Sequence, residues 1–443
     1  MRDMAPSMRT SSTDLEPACS RARLALPERL DHVGRSPVLD WARSGAMALT
    51  GAPSAPPLVA PAAFATSLTH AVDRLVRLAG EPAARDLETL DGGSFLGERA
   101  AALDLQRRGA CTAGGAGRLL ETATVTVALQ LAREDDLALL PAWLEVAVPT
   151  EAPWTKIAEV LRDRPGEPLV RRGREIGLPL AAVEGPPEEA PPWVRVLPIG
   201  ARLTAPRSRA RVVDLSSLWA GPLCADLLRR AGADVIKVES TQRPDGARRG
   251  PRAFFDLLNA DKRSVALDFQ SEADLSSLRS LIASADIVVE ASRPRALAQL
   301  GIDADRCVRE RPGTTWISLT AYGGQGPPAN WVGFGDDTAV AAGTTAALRD
   351  RTGQQVFCGD ALADPLTGAH GALAGLASFQ AGGGHRLELS LRDVTAAVLV
   401  DAPMPPVAPV DPAQIAPPRT RVSPRPAAAL GADSAAVLGA LPC

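Results

Sequence analysis

The chain has 443 residues, of which 46% are hydrophobic and 22% are charged, and its formal net charge is −3. This length is sufficient for two or three domains with full-sized cores, and the composition is typical of a soluble globular protein. The balanced charge gives no reason to expect binding to nucleic acid or to an anionic membrane surface.

The cysteines and histidines do not indicate a metal site or a disulfide framework. The six cysteines are scattered without a CxxC pair, and the four histidines do not cluster with them. The N-terminal residues lack the apolar core of an export signal, and no apolar run is long enough to span a bilayer. We therefore expect a cytoplasmic protein that holds no metal and does not insert into a membrane.

Proline-rich stretches divide the chain into four parts. The polar residues 1–37 predict a disordered segment, and residues 38–200 predict a first domain that ends in the proline-rich stretch 183–193. Residues 207–400 predict a second domain. Residues 401–443 predict a proline-rich return segment followed by a C-terminal helix.

The second domain alternates between strand-like and helix-like segments. Five short runs rich in Val and Ile predict strands at 211–216, 234–239, 264–269, 286–291 and 315–320. Segments of helix length separate several of these runs, which is typical of βαβ units. The pattern predicts an α/β fold with a doubly wound, mostly parallel sheet, and ligands of such a sheet bind beyond the carboxyl ends of its strands.

Two stretches of the chain, residues 44–72 and 342–370, align with each other without gaps. Gly45 aligns with Gly343, and Thr66 takes the position of Asp364. Alanine-rich sequences also align by chance, so duplication and coincidence are both open. If the repeat is real, its degenerate first copy lies at the start of the first domain and has lost the carboxylate.

Asp364 lies in the stretch ALADPLTGAHGAL, directly before a proline and a run of Ala and Gly. Asp followed by Pro and a helix-forming stretch predicts an N-cap with the proline at the first helical position. A carboxylate at a helix N-terminus is also stabilised in its ionised form, in which it can act as a nucleophile. From the residues alone, a cap and a reactive group are both open.

Four blocks of the second domain resemble the successive signatures of one family. In chain order the blocks are DLSSLWAGPLCADLLRRAGADVIKVES, LLNADKRSVALDF, ADIVVEASRPRALAQLGID and GTTWISLTAYGGQGP. Their order and spacing resemble the class III coenzyme A transferases, which include the formyl-CoA and carnitine CoA transferases and have the α-methylacyl-CoA racemases as close relatives. The resemblance extends over residues 207–395 and implies a Rossmann-like, CoA-binding catalytic domain.

The resemblance implies that three segments contact coenzyme A. Their residues are Leu218, Trp219 and Ala220, then Asn259 and Lys262, and finally Ala291, Ser292 and Arg293. Cations such as Lys262 and Arg293 suit the phosphate groups of CoA. The chain departs from the family at two positions, where Ser240 replaces an Arg of some members and Ala291 replaces a common Asn.

By the same resemblance, Asp364 is the catalytic carboxylate. The family's nucleophilic Asp lies four residues before a Gly, as Asp364 lies before Gly368, whereas the rival Asp360 has Asp364 at that place. The implied reaction transfers CoA from an acyl-CoA to a carboxylic acid through an aspartyl mixed anhydride and an aspartyl-CoA thioester. It implies CoA and acyl-CoA as substrates, no permanently bound cofactor, and a homodimer.

Residues 114–144 and 153–183 resemble the smaller α+β domain of the same family, which normally follows the catalytic Asp. The chain is therefore predicted to carry its small domain first and its CoA-binding domain second. Gly114 and Gly115 are candidates for a glycine lid loop over the active site. A flexible turn before a strand is the alternative for these two glycines.

Two other functions are open. A racemase or isomerase of this fold pairs the Asp with a His, and Phe334 or Gly335 takes the place of that His here. His370 and His385 are expected to be a helix-face residue and a turn residue rather than substitutes. The second alternative is a non-catalytic CoA-binding protein. It is favoured by the departures at Ser240 and Ala291, by a Thr-Val pair in place of Asp-Gly at a hairpin turn of the small domain, and by the lost carboxylate of the repeat. The retained Asp364, with Gly368 four residues later, disfavours it.

Overall fold

The computed structural model of the chain describes residues 24–30, 36–205, 207–405, 410–423 and 425–441, so most of the predicted disordered segment 1–37 lies outside it. The helices are α1 Pro37–Arg43, α2 Phe64–Ala79, α3 Ala83–Glu88, α4 Phe95–Ala102, α5 Glu134–Leu144, α6 Pro153–Leu161, α7 Gly166–Ile176, α8 Ala220–Arg230, α9 Arg252–Asn259, α10 Glu272–Ser284, α11 Pro294–Gln299, α12 Ala304–Glu310, α13 Gly335–Ala341, α14 Thr344–Thr352, α15 Ala363–Gln380, α16 Leu391–Asp401 and α17 Ser434–Gly439. The strands are β1 Gly117–Leu120, β2 Val127–Gln130, β3 Leu180–Ala182, β4 Arg195–Pro198, β5 Arg211–Asp214, β6 Asp234–Ser240, β7 Arg263–Leu267, β8 Ile287–Glu290, β9 Thr315–Thr320 and β10 His385–Ser390. Within the described residues, no helix is both long enough and apolar enough to cross a membrane.

The larger sheet has seven strands in the order β4-β10-β9-β8-β5-β6-β7. All neighbouring strands are parallel except β4, which pairs antiparallel with β10. Along the chain, the first parallel strand is β5, and β6 and β7 follow on one side of it. The chain then crosses to the other side of β5, where β8, β9 and β10 follow in order. The predicted α/β fold with a doubly wound, mostly parallel sheet is confirmed.

The five runs of Val and Ile form strands β5 to β9, because helices cover both faces of the sheet. Val212 and Val213 follow each other in β5 and belong to separate hydrophobic cores, one on each face. In β8, Ile287, Val288 and Val289 have no exposed surface. Strands buried on both faces are continuous apolar runs rather than alternating ones.

The winding of the sheet reverses between the neighbouring strands β5 and β8. At such a reversal the loops after the two strands diverge and leave a crevice at the carboxyl edge of the sheet, where ligands bind. The loop after β5 includes Leu218 and Trp219, and the loop after β8 is formed by Ala291, Ser292 and Arg293. The topology therefore brings two of the three predicted CoA segments to one crevice.

Glycines allow α15 to lie close against α8 and the sheet. A Cβ atom at Gly368 would lie 2.5 Å from the carbonyl oxygen of Ala220, and one at Gly375 would lie 2.4 Å from the Ile317 side chain. A side chain at Gly368 would collide with backbone, and one at Gly375 would require the Ile317 side chain to shift. This packing fixes the N-terminal turn of α15 beside the start of α8, which follows the loop after β5.

Two groups of elements precede the seven-stranded sheet in the chain. Strands β1, β2 and β3 form a small antiparallel sheet, and this sheet packs on α5, α6 and α7 around its own apolar core. Helices α1, α2 and α4 instead contribute to the main core, and α2 packs against α15. The domain boundaries predicted from the sequence, with a small domain over 38–200, stay a prediction.

The aligned stretches around residues 44–72 and 342–370 also correspond in structure. Helices α1 and α13 match residue for residue at the same offset along the sequence, and α2 and α15 start within one residue of each other at that offset. Gly45 and Gly343 follow the first helix of each copy and both have positive φ values, +85° and +101°. These correspondences favour duplication over coincidence.

Candidate active site

Asp364 lies in the first turn of α15. The helix begins at Ala363 and Leu362 occupies the N-cap position, so the prediction that Asp364 caps the helix is wrong by two residues. The carboxylate still lies at the helix N-terminus, where unpaired N–H groups and the helix dipole favour negative charge. Asp364 is partly exposed, whereas its neighbours Ala363 and Pro365 are buried.

Gly335, the first residue of α13, touches the Asp364 carboxylate. Its backbone N–H faces the carboxylate and favours the ionised form, which lowers the pKa of Asp364. A Cβ atom at Gly335 would lie 2.3 Å from Oδ2 of Asp364 and 2.5 Å from the carbonyl oxygen of Ala361. Only glycine therefore fits at this position while the carboxylate keeps its place.

Two further carboxylates and one guanidinium lie around Asp364. Arg99 on α4 makes a two-pronged ion pair with the buried Asp360, with Nε–Oδ2 at 2.9 Å and Nη2–Oδ1 at 2.5 Å. Asp336 on α13 accepts a hydrogen bond from the backbone N–H of Ala361 at 2.7 Å. The rival carboxylate Asp360 is thus occupied by an ion pair, while Asp364 is not.

Burial raises the pKa of Asp364 to about 7, with repulsion from Asp336 and Asp360 adding to it and attraction to Arg99 opposing it. Burial and repulsion from Asp360 likewise raise the pKa of Asp336 to about 6. Near neutral pH, the Asp364 carboxyl therefore exchanges between its protonated and ionised forms. Acid–base and nucleophilic groups of active sites are commonly tuned in this way.

The small sheet reaches the same cluster. Gln130, at the end of β2, donates a hydrogen bond from Nε2 to Oδ2 of Asp336 at 3.2 Å. Gly114 and Gly115, the predicted lid residues, form a turn that ends in β1, and Gly115 has a φ of +82°. A Cβ atom at Gly114 would lie 3.2 Å from Nη2 of Arg99. The structure therefore places these glycines beside the carboxylate cluster, and their function as a lid stays a prediction.

The loop after β5 combines strain with an unpaired donor. Leu218 has a φ of +70° and is exposed, although such a conformation is unfavourable for a residue with a Cβ atom. Trp219 is buried edge-to-face against Phe254, and its indole Nε1 has no hydrogen-bond acceptor among the described residues. Ala220 starts α8 and is buried.

The loop after β8 lies beside the loop after β5. A Cβ atom at Gly221 would lie 3.5 Å from Cβ of Ala291, the residue that follows β8. Ser292 and Arg293 are partly exposed next to it. Burial, together with the nearby Arg295 and Arg133, lowers the pKa of Arg293. Arg293 at the mouth of the crevice therefore has two further arginines nearby, and one of them, Arg133, lies in the loop that follows β2 of the small sheet.

Lys262, with Asn259 beside it, lies under the carboxyl end of β5 and the first turn of α8. The Lys262 ammonium is buried and donates to Oδ2 of Asp214 at 2.9 Å, the carbonyl oxygen of Pro222 at 2.9 Å and Oδ1 of Asn259 at 3.1 Å. Its three protons are thus used within the protein, and none is left for a phosphate in this conformation. Their contact with CoA stays a prediction, whereas the ammonium visibly ties β5 to α8.

The two candidate histidines lie away from Asp364 and are bound elsewhere. In α15, Nδ1 of His370 lies 2.8 Å from the carbonyl oxygen of Leu366 and Nε2 lies 3.3 Å from Oγ of Ser67. Nδ1 of His385 lies 3.0 Å from Oγ of Ser378. Burial lowers the pKa of each imidazole to about 4, so both are neutral at pH 7.

Three residues of the cluster were not predicted from the sequence, namely Arg99, Asp336 and Gln130. Their contacts join positions 206 and 261 residues apart, and no local pattern marks them. Asp336 follows Gly335, so its place near the expected His position was the one available signal. Across the described residues, no group of three or more His, Cys, Asp or Glu side chains is arranged to hold a metal ion.

Comparison with known proteins identifies relatives of the second half of the chain. Residues 208–419 match the model of CoA-transferase family III. Succinate–glutarate CoA-transferase from Agrobacterium fabrum is 30% identical over 216 residues, which are 45% of this chain and 54% of that protein. The β subunit of succinyl-CoA–L-malate CoA-transferase from Chloroflexus aurantiacus is 32% identical over 204 residues, with 43% and 50% covered. Among crystal structures, a CAIB/BAIF family protein from Brucella suis is 27% identical, with 43% and 54% covered and a TM-score of 0.36.

The chain spans about half the length of the curated relatives it matches. The matched segment runs from just before β5 past the end of α16 and so includes the crevice, Asp336, Asp360 and Asp364. The resemblance predicted from the four sequence blocks is therefore confirmed, since residues 208–419 match the CoA-transferase family III model.

Proposed function

We propose that this chain is an acyl-CoA:carboxylate CoA-transferase in which Asp364 is the nucleophile. One observation carries the proposal: a partly exposed carboxylate lies at a helix N-terminus beside the switch-point crevice, within a segment that matches CoA-transferase family III. CoA and acyl-CoA are its substrates. No resident cofactor is required for the chemistry described below.

The reaction proceeds in four balanced steps at the Asp364 carboxyl. A carboxylate oxygen attacks the thioester carbonyl, the C–S bond breaks, and CoA thiolate leaves a mixed anhydride on the protein. The thiolate then attacks the aspartyl carbonyl, which releases the first acid and forms an aspartyl-CoA thioester. The acceptor carboxylate attacks the aspartyl carbonyl of this thioester, the C–S bond breaks, and a second anhydride and free CoA thiolate result. In the last step the thiolate attacks the acceptor's acyl carbonyl, which forms the new acyl-CoA and releases the Asp364 carboxylate.

Two backbone strains support a ligand site at this place. Leu218 in the loop after β5 and Ala361 in the turn before α15 both have positive φ values without being glycine. Strained residues of this kind cluster where a ligand or a reaction requires a fixed backbone. The unpaired indole N–H of Trp219 offers a donor to an oxygen of the bound thioester.

The small sheet and the partner molecules complete the proposal. The turn at Gly114 and Gly115 acts as the lid, the small domain precedes the CoA-binding domain, and the protein works in the cytoplasm. The resemblance further predicts a homodimer. The acyl and acceptor groups are not identified by the site, so we choose succinyl-CoA as the probe because two relatives are named for succinate or succinyl-CoA.

Covalent trapping tests this proposal. The protein is incubated with succinyl-CoA, quenched with hydroxylamine or borohydride and digested with trypsin, which releases Asp360 and Asp364 on one peptide because no Lys or Arg lies between 352 and 385. We expect modification at Asp364, resolved from Asp360 by fragment ions, and its loss in Asp364→Asn. The conservative variant Asp350→Asn, an exposed carboxylate on α14, serves as the control.

Other outcomes identify the alternatives. A racemase exchanges the α-proton of its acyl-CoA for solvent deuterium and leaves Asp364 unmodified. A non-catalytic protein retains CoA in equilibrium dialysis and shows neither exchange nor modification. Either result would overturn the proposed transferase.

A further inference from the structure

Arg99 joins the first part of the chain to the candidate active site. It lies on α4, more than a hundred residues before the segment that matches the CoA-transferase family. Its guanidinium holds both oxygens of Asp360, whose side chain is completely buried, while the Arg99 side chain keeps 23% of its surface exposed. Two-pronged pairs of this kind fix the orientation of both partners.

Asp360 in turn fixes the backbone that leads into α15. The next residue, Ala361, has a positive φ of 44°, and its carbonyl oxygen accepts a hydrogen bond from the backbone N–H of Asp364 at 3.0 Å. A strained turn persists only where surrounding contacts hold it. The ion pair with Arg99 is the contact that anchors the Asp360 side of this turn.

The charges that act on Asp364 come from three elements. Asp336 on α13 and Asp360 in the preceding turn repel its negative charge, and Arg99 on α4 attracts it. Attraction to Arg99 also opposes protonation of Asp336. Because Asp364 must be ionised to attack a thioester, a cation within this group of carboxylates favours the reactive form.

We propose that Arg99 is a positioning residue for the reaction, whose guanidinium anchors the turn before α15 and supplies a positive charge that favours the ionised form of Asp364. The inference rests on the proposed function. The same guanidinium lies 6.0 Å from the Trp219 ring and against Gly114, so it also lies between the predicted lid and the β5 loop.

Replacing Arg99 by a neutral residue tests whether its positive charge favours the ionised form of Asp364. In Arg99→Gln we expect the pH profile of Asp364 modification by succinyl-CoA to move upward by about one unit, with about a fivefold loss of rate at pH 7. Arg99→Lys keeps a positive charge and should restore most of the profile. Asp360→Asn removes a repelling charge and should move the profile in the opposite direction, which decides the matter if Arg99→Gln fails to fold.

The matched control is another buried ion pair on the same helix. Arg421 binds Glu98, the residue before Arg99, with Nε–Oε1 at 2.5 Å and Nη2–Oε2 at 3.1 Å. Arg421→Gln should lower the midpoint of thermal unfolding without moving the pH profile. An equal shift in Arg421→Gln and Arg99→Gln would show that both act through structure alone and would overturn the inference.

A second readout does not depend on activity. Protein labelled with carbon-13 at the aspartate carboxyl carbons is titrated by NMR, and the Asp364 resonance is assigned by its absence in Asp364→Asn. We expect a higher pKa of Asp364 in Arg99→Gln than in the wild type, and an unchanged pKa would overturn the inference. If the wild type is never modified by succinyl-CoA but this shift is found, the proposed transferase fails while the electrostatic role of Arg99 stands.

Discussion

At the scale of one residue, Gly335 shows that the site requires a residue without a side chain beside the Asp364 carboxylate. A methyl group there would lie 2.3 Å from the Asp364 carboxylate, so Gly335→Ala must displace either the carboxylate or α13. We expect about a hundredfold loss in the rate of Asp364 modification, because displacements near 1 Å cost that much in enzymes. Overpacking should also lower the free energy of unfolding by about 1–3 kcal/mol.

The control for this variant is Gly185→Ala, since an added Cβ atom at Gly185 meets no atom within 4 Å. Chemical denaturation and the trapping assay are applied to both variants. A Gly335→Ala protein that is modified as fast as the Gly185→Ala protein would show that the carboxylate does not need its present position.

The raised pKa of Asp364 predicts a pH-dependent stability. A folded pKa of about 7 lies above the ordinary value of 3.8, so the folded state keeps a proton that the unfolded state loses between about pH 4 and 7. The contribution of this carboxyl to stability is therefore present at low pH and is lost as the pH rises through 7. In Asp364→Asn that loss should be absent.

Urea unfolding at pH 4.5, 6 and 8 checks this sign, with Asp350→Asn as the exposed control. Relative to the wild type, Asp364→Asn should become more stable as the pH rises. Curves that stay parallel across this range would mean that Asp364 titrates like an exposed carboxyl.

The site residues differ in how far the sequence could predict them. Asp364 was predicted by the family resemblance through its spacing to Gly368, and a glycine there lets the backbone of Ala220 approach α15. Arg99 and Asp336 could not be found, because an ion pair across 261 residues leaves no local trace. The contact of Lys262 with phosphate stays a prediction, and the sequence did not indicate that its ammonium also binds the buried Asp214.

At the scale of elements, α15 and α8 depend on the glycine face between them. Ala is a better helix former than Gly by about 1 kcal/mol, so Gly→Ala changes in α15 stabilise the helix unless the new methyl group collides. At Gly368 the methyl group would meet a backbone oxygen at 2.5 Å, whereas at Gly371 the nearest atom is a leucine side-chain carbon at 3.3 Å.

We therefore expect Gly368→Ala to lower the free energy of unfolding by about 1–3 kcal/mol and to weaken CoA binding, since it pushes α15 away from the β5 loop. The matched variant Gly371→Ala should be close to neutral. Urea denaturation and equilibrium dialysis with CoA measure the two effects, and equal behaviour of both variants would refute the role assigned to Gly368.

Elements were predicted most accurately where burial is two-sided. The predicted strands 211–216 and 315–320 correspond to β5 and β9, and their predicted ends differ from the observed ones by at most two residues. The reason is that a continuous apolar run is buried on both faces only as an inner strand of a sheet covered by helices. The start of α15 was misplaced, because Asp-Pro is a common cap signal and the tertiary contacts of the turn before α15 override it.

At the scale of the whole molecule, one chain supplies every part of the cluster. Arg99 comes from the helices before the small sheet, Gln130 from that sheet, and Asp336 with Asp364 from the segment that matches CoA-transferase family III. The order of these parts could be read from the sequence, but not that α2 packs on α15. In the first copy of the repeat, Thr66 at the position of Asp364 donates to Oδ2 of Asp40 at 2.8 Å.

The central claim is that the carboxyl of Asp364 exchanges bonds with both acids, and transfer of an oxygen isotope tests it most directly. The protein is incubated with succinyl-CoA and an acceptor acid whose carboxylate carries oxygen-18. The mass of the tryptic peptide that contains Asp364 is then measured by mass spectrometry. Because the acceptor oxygen remains on the aspartyl carbon when the second anhydride is cleaved, we predict that Asp364 gains oxygen-18. Transfer of CoA to the acceptor with only oxygen-16 at Asp364 would contradict the account.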